Sequence, residues 1–190
     1  MSKIVFLDFD GPMIPMRAAY LPGQTAISTI FDPCAVSLLN ELIVKSTAKV
    51  VISSSWGRDG YDVCAELLEK NGISRTVLHE DWVTPRKFSS QRIHEIKWWL
   101  DDHPEVTHYV AIDDEDLPIA WVPNAVLCDS YEGFSFRNYL ECKIFLGIMP
   151  EQEALSKHIA HLKRREINRT VRRGEHEQWK VAEMANDLFQ

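Results

Sequence analysis

The sequence predicts an α/β fold: a doubly wound, mainly parallel sheet with little or no cap and a C-terminal helical extension. Three observations carry this. Short, continuous apolar runs recur along the first two thirds of the chain, as in strands buried on both faces. Segments with helical spacing separate them. Carboxylates and hydroxyls stand directly after three of the runs, where a doubly wound sheet opens its crevice.

The first run is Ile4–Leu7. The interval from Gly11 to Pro33 holds Pro12, Pro15, Pro22 and Gly23, enough for a flap and too short for a folded cap, so an open site is expected. Pro33–Ser46 has helical spacing through Val36, Leu38, Leu39, Leu42 and Ile43. Val50–Ile52 is the second run, and Tyr61–Lys70 the second helix, stopped at Asn71-Gly72. A weaker strand is expected at Thr76–Leu78, then a helix over Arg92–Asp101 with Ile93, Ile96, Trp99 and Leu100 on its apolar side. Tyr109–Ile112 and Ala125–Leu127 complete the strands. Alternation of this kind implies right-handed crossovers that carry helices over both faces. From about Pro150 a polar, helix-prone sequence takes over, so residues 1–149 are expected to form the catalytic domain and 150–190 a helical extension.

A chain of 190 residues with 45% hydrophobic content supports one domain of this kind, and its formal net charge of -7 argues against a general nucleic-acid binder. Cys34, Cys64, Cys128 and Cys142 follow no zinc spacing and fall in segments that read as core or near-core, which suggests reduced thiols. Neither a signal-peptide pattern nor an apolar run of membrane-spanning length is present, so a cytoplasmic protein without membrane contact is expected.

The first strand runs into Asp8-Phe9-Asp10-Gly11, the second into Ser53-Ser54-Ser55-Trp56, and the Tyr109 strand into Asp113-Asp114-Glu115-Asp116. An isolated acidic turn after a strand is ordinary. Three polar clusters on one sheet edge are not. Asp8 with Asp113 and Asp114 supplies the hard oxygen ligands that Mg2+ prefers. Such an ion offsets the repulsion between an aspartate and a phosphate and orients phosphorus for in-line attack. Asp10 is placed for acid–base work, and Ser54 or Ser53 for holding a phosphoryl oxygen. The cation this chemistry also needs is to be found among Arg86, Lys87, Arg92 and Lys97.

These four elements in order, DFDG at Asp8–Gly11, ISSS at Ile52–Ser55, a basic residue before or at a helix, and IDDED at Ile112–Asp116, resemble the motifs of the haloacid dehalogenase (HAD)-like phosphohydrolases over roughly Lys3 to Gly147. The ISSSW segment, Arg92-Ile93-His94-Glu95 and Val126–Asp129 leading to Gly133-Phe134 are similar to a small capless subgroup that includes HAD domains linked with RNA repair proteins. The resemblance implies a HAD-like Rossmannoid fold. It implies Asp8 as nucleophile and metal ligand, and Asp10 as acid–base residue with its carbonyl on the metal. Ser54 becomes the phosphate-binding hydroxyl, and Asp114 a metal ligand with Asp113 beside it. Lys87 has the separation from Asp114 typical of the superfamily lysine, whereas Arg92 fits the subgroup.

Other residues have plainer readings. His79, His94, His103 and His108 show no paired metal spacing and read as surface or strand-edge residues. Trp99 is expected in the core and Trp98 partly exposed; Trp56 suits either a nucleobase or the Gly57–Gly60 turn. Lys157–Arg173 is a basic run that fits polynucleotide phosphates or a solvated helix face, and Trp179–Phe189 an apolar face suited to a homo-oligomer contact. The expected function is a magnesium-dependent phosphatase acting on a phosphomonoester, a nucleotide or nucleic-acid end being favoured. The alternatives are a phosphotransferase and a catalytically silent module binding a phosphorylated or nucleic-acid partner.

Overall fold

The computed structural model describes residues 2–20, 29–86, 91–117, 121–150, 152–153 and 156. Lys87, the basic run and the Trp179–Phe189 face lie outside the described residues, as does nearly all of the second compact unit, Glu151–Gln190. The first unit, Met1–Pro150, holds a five-stranded sheet.

Its strands are β1 (Ser2–Leu7), β2 (Lys49–Ile52), β3 (Leu78–Val83), β4 (Val106–Asp113) and β5 (Ala125–Leu127), in the order β3-β2-β1-β4-β5. Every pairing is parallel. The helices are α1 (Pro33–Ser46), α2 (Tyr61–Lys70), α3 (Arg92–Asp102) and α4 (Phe136–Phe145). The chain leaves β1 toward β2 and leaves β4 toward β5, so the direction of winding reverses between β1 and β4 and a crevice opens there.

Successive β1 side chains point to opposite faces. Ile4 and Phe6 join Val51, Ile96, Trp99, Ala111, Leu117 and Val122 in one buried cluster under α3. Trp99 meets Phe6 edge to face, with ring centroids 5.3 Å apart. α1 begins where expected because the Asp32 side chain accepts hydrogen bonds from the backbone N–H groups of Cys34 and Ala35, and Pro33 occupies the first turn.

Two expectations need correction, the strand at Thr76–Leu78 and the placement of Cys34. Residues Arg75–Val77 form a 3-10 turn, with the Ser74 hydroxyl accepting from Thr76 N, and the strand begins only at Leu78. β3 is an edge strand whose His79-Glu80-Asp81 stretch faces solvent in part, so no apolar run marks it. Helix α4 had no recognisable apolar stripe; a reciprocal cap between Ser135 and Asn138 starts it. Cys34 is exposed on α1, whereas Cys64, Cys128 and Cys142 are buried as expected; all four are free thiols.

The described part of the Gly11–Pro33 interval contains one 3-10 helix, Met16–Tyr20. Its base is tied to the segment after β5 by Met16 N donating to the Ser130 carbonyl at 2.9 Å and Phe134 N to that of Pro12 at 2.8 Å.

Candidate active site

The parallel ladder continues past the strands and fixes the first residue beyond each. Asp8 N donates to the Ile112 carbonyl at 3.0 Å and Ser53 N to that of Leu7 at 2.9 Å. Asp8 is thereby held beside the end of β4, where Asp113 is the last strand residue, and Ser53 beside the end of β1. All of this lies at the carboxyl edge of the sheet.

Asp8 is 4% exposed and Asp113 2%. Arg92, the first residue of α3, sends one guanidinium nitrogen between them, forming an ion pair with Asp8 and one of 2.7 Å with Asp113. The other Asp8 oxygen accepts from Phe9 N at 2.8 Å, and the Ser54 hydroxyl also bonds this carboxylate. Both oxygens of Asp113 are engaged as well, the second accepting from Glu115 N at 2.9 Å. Burial raises the Asp8 carboxyl above its ordinary range, opposed by Arg92 and the Ser54 hydroxyl. Burial pushes Asp113 up to about 7, with Arg92 again opposing. For Arg92, burial favours loss of the proton, but Asp8 and Asp113 more than offset it and keep the guanidinium charged.

Asp114 is less buried and lies over the turn that follows β1. Gly11 there has φ +77°, and a Cβ added to it would stand 2.3 Å from Asp114 Cγ. Glycine therefore serves two needs: a left-handed backbone and room for the carboxylate. Carboxylate oxygens of Asp8, Asp113 and Asp114 lie within 4.8 Å of one another. Three acids this close, each raised by burial, form an all-oxygen donor set that fits a hard divalent cation such as Mg2+.

Asp10 is exposed on the turn, and its Oδ2 accepts the Trp56 indole N–H at 3.1 Å. Trp56 is half-buried in the 3-10 turn Ser55–Asp59, whose N-cap is Ser54. A hydrogen-bonded path thus links Asp8, Ser54, Trp56 and Asp10. Spacing alone left Trp56 undecided between a base and a turn. The Ser53 hydroxyl is buried and has no hydrogen-bond partner among the described residues.

Of the basic candidates, Arg92 reaches the acids. Arg86 pairs with Glu95 at 3.4 Å, and Lys97 is exposed with its Nζ 5.6 Å from the Trp121 ring centroid, a cation–π contact on the solvent side. The contact of Arg92 spans 21 residues to Asp113 and depends on where α3 starts, which no local motif states. Beside this set is a cleft of about 480 Å³ lined by Arg86, Gln91, Arg92, Glu95, Glu115 and Asp116 among others, so Arg92 faces both the buried acids and the cleft.

No helix among the described residues is long and apolar enough to cross a membrane. No curated protein and no solved structure matches the chain. Residues 4–139, more than half of the sequence, match the family model of the HAD domain in Swiss Army Knife RNA repair proteins. That span includes β1 from Ile4, β2 to β5, Arg92 and the acids Asp8, Asp10, Asp113 and Asp114. With its parallel sheet, its crevice between β1 and β4 and its phosphohydrolase-type architecture, the chain belongs to this family of HAD domains.

Proposed function

We propose that this protein is a magnesium-dependent phosphatase that hydrolyses a phosphomonoester, a nucleotide or nucleic-acid end being favoured, through an aspartyl-phosphate on Asp8. The observation that carries this reading is the position of Asp8: a buried carboxylate clamped by Arg92 and Ser54 within ligand distance of Asp113 and Asp114. Asp8, Asp114 and the Asp10 carbonyl are the groups to hold Mg2+, with Asp113 beside them. The ion, when bound, supplies charge neutralisation between phosphate and carboxylate.

The residues act in two steps. An Asp8 oxygen attacks phosphorus, the bond from phosphorus to the leaving oxygen breaks, and Asp10 delivers a proton to that oxygen. Asp10 then takes a proton from water, whose oxygen attacks phosphorus and releases Asp8 with inorganic phosphate. Arg92 and the Ser54 hydroxyl face the equatorial oxygens, where charge accumulates. Asp113, with both oxygens engaged, positions Arg92 and is a weaker ligand than Asp114. Lys87 stays a further phosphate-binding candidate by its spacing from Asp114.

A Gly11–Pro33 interval too short for a folded cap suits a phosphorylated end on a large molecule, and the RNA-repair setting of the family supports a nucleic-acid substrate. Residues 1–149 form the catalytic domain in this reading, residues 150–190 a helical extension, and the protein acts in the cytoplasm. The test is a panel of mononucleotides, oligonucleotides phosphorylated at the 3′ or 5′ end, and sugar phosphates, assayed with Mg2+ and with excess chelator. Turnover should require the metal, and Asp8→Asn should lower it at least ~1000-fold while circular dichroism stays unchanged. Normal turnover by Asp8→Asn would remove the nucleophile assignment.

A further inference from the structure

The first residue of α3 stands at the catalytic acids, and the residue after its last turn stands in a second cluster of ionisable side chains. Eleven helical residues at about 1.5 Å each separate the two by roughly 16 Å. The second cluster consists of His79 and Asp81, two apart and so on one face of β3, and His103, the C-cap of α3. Each offers one ligand atom, and these atoms lie within 4.8 Å of one another.

His103 is held as a metal-binding imidazole is held. Its Nδ1 is 2.6 Å from the Trp99 carbonyl oxygen, which can only accept, so the hydrogen is on Nδ1 and the neutral ring has its lone pair on Nε2. Nε2 points at Asp81 Oδ2, 2.9 Å away. The ring is further fixed by face-to-face stacking on buried Trp99, with centroids 3.6 Å apart and planes at 9°, and the Trp99 indole N–H donates to the Asp81 carbonyl at 3.0 Å. Orientation of a ligand by a carbonyl on its far nitrogen is the usual support of a metal-bound histidine.

With His103 neutral, two lone-pair atoms face each other at 2.9 Å, and such a pair requires a positive charge between or beside them. A proton on Nε2 is one solution. A metal ion is the other: the His79 imidazole completes a set of three ligands, and its Nδ1, which now accepts the Asp81 backbone N–H at 3.0 Å, can exchange that bond for an ion. Asp81 is largely exposed, which leaves a path of entry and room for water ligands.

We propose that His79, Asp81 and His103 form a second metal site, distinct from the all-oxygen set at Asp8, that takes a divalent transition ion of the zinc type. Two imidazole nitrogens and one carboxylate suit Zn2+ or its neighbours and not Mg2+, which prefers oxygen throughout. Bound there, the ion ties the end of α3 to the edge of the sheet and so steadies the helix that delivers Arg92 to Asp8. The site stands independently of the proposed reaction.

Zinc chloride titrations followed by calorimetry, with Co2+ as a visible-absorption probe, test this in the Asp8→Asn/Asp114→Asn protein, where the oxygen site is disabled. One saturable equivalent should bind, Co2+ should give the d–d bands of nitrogen ligation, and zinc at about 100 times Kd should raise Tm by roughly 5 °C. Adding His103→Ala or Asp81→Asn should weaken binding at least ~10-fold and cut the Tm shift at the same zinc concentration to about half or less. Asp81→Asn changes an exposed side chain and keeps the readout available if His103→Ala fails to fold. Absence of saturable binding, or equal affinity in these variants, overturns the site. A loss of stability in His103→Ala with no zinc effect in its parent also overturns it, leaving an imidazolium–carboxylate pair as the whole role of the cluster.

Discussion

Trp56 shows how much a single side chain contributes beyond its motif. Its indole N–H can only donate, so the Asp10 oxygen that accepts it, Oδ2, is committed, and in the proposed mechanism the catalytic proton belongs on Oδ1. Trp56→Phe keeps a ring near Phe9, whose centroid is 6.4 Å away, and removes the donor. Steady-state kinetics should show kcat lowered about 10-fold with KM little changed, since an acid–base group contributes to the transition state more than to binding. A change in KM alone would place Trp56 in substrate contact instead. Gly11 is the second telling position. In Gly11→Ala the new methyl collides with Asp114 Cγ, so the Mg2+ concentration giving half-maximal rate should rise by about 10-fold or more, beyond the ~1 kcal/mol of left-handed strain measured by denaturation.

At the scale of elements, helix starts decide what the strands can present. Asp32 caps α1 through two backbone N–H groups and also pairs with Arg17 at 3.1 Å, joining the helix to the 3-10 helix Met16–Tyr20. Asp32→Ala should cost ~1–2 kcal/mol in chemical denaturation, at the upper end for a cap because the Arg17 pair is lost as well. Equal stability of the variant would mean that Pro33 alone sets the start of α1. α3 has no side-chain cap bond at Gln91, and its register follows from the burial of Ile96 and Trp99. The placement of Arg92 is therefore a consequence of core packing. Such a dependence is invisible to motif spacing, which offered Lys87 by the superfamily pattern and Arg92 by that of the subgroup.

For the whole molecule, the acids, Arg92 and Ser54 all fall within Met1–Pro150, whereas the basic run falls beyond it. Removing the chain after Pro150 should leave hydrolysis of a small phosphoester within about twofold of the intact protein, if Lys157–Arg173 only guides a polynucleotide. Activity on a phosphorylated oligonucleotide should fall in the same variant, and in the intact protein it should weaken steeply with salt as counterion release loses its advantage. Oligonucleotide turnover that is insensitive to both salt and truncation would eliminate the guiding role. An acidic chain, net -7, makes this contrast informative, since no general positive surface supplies the attraction.

The order of elements was legible in the sequence where one residue's surroundings are set by its neighbours. Continuous apolar runs mark β1, β2 and the end of β4, where both faces are covered, and also the edge strand β5, although its Leu127 is exposed; helical periodicity marks α1, and with the Asn71-Gly72 stop α2. The positions of Asp8, Asp10, Ser54, Asp113 and Asp114 at strand ends follow from the same pattern, although their roles rest on the proposed chemistry. Tertiary structure alone decided the rest. It set β3, which has one exposed face and no apolar run. It also set the Arg92 contact with Asp8, the indole on Asp10 and the meeting of His79 and Asp81 with His103. Each of these contacts joins residues distant in the chain, or hinges on which side of an element is buried. Their geometry is fixed by how the layers pack, and periodicity along a segment carries no record of that.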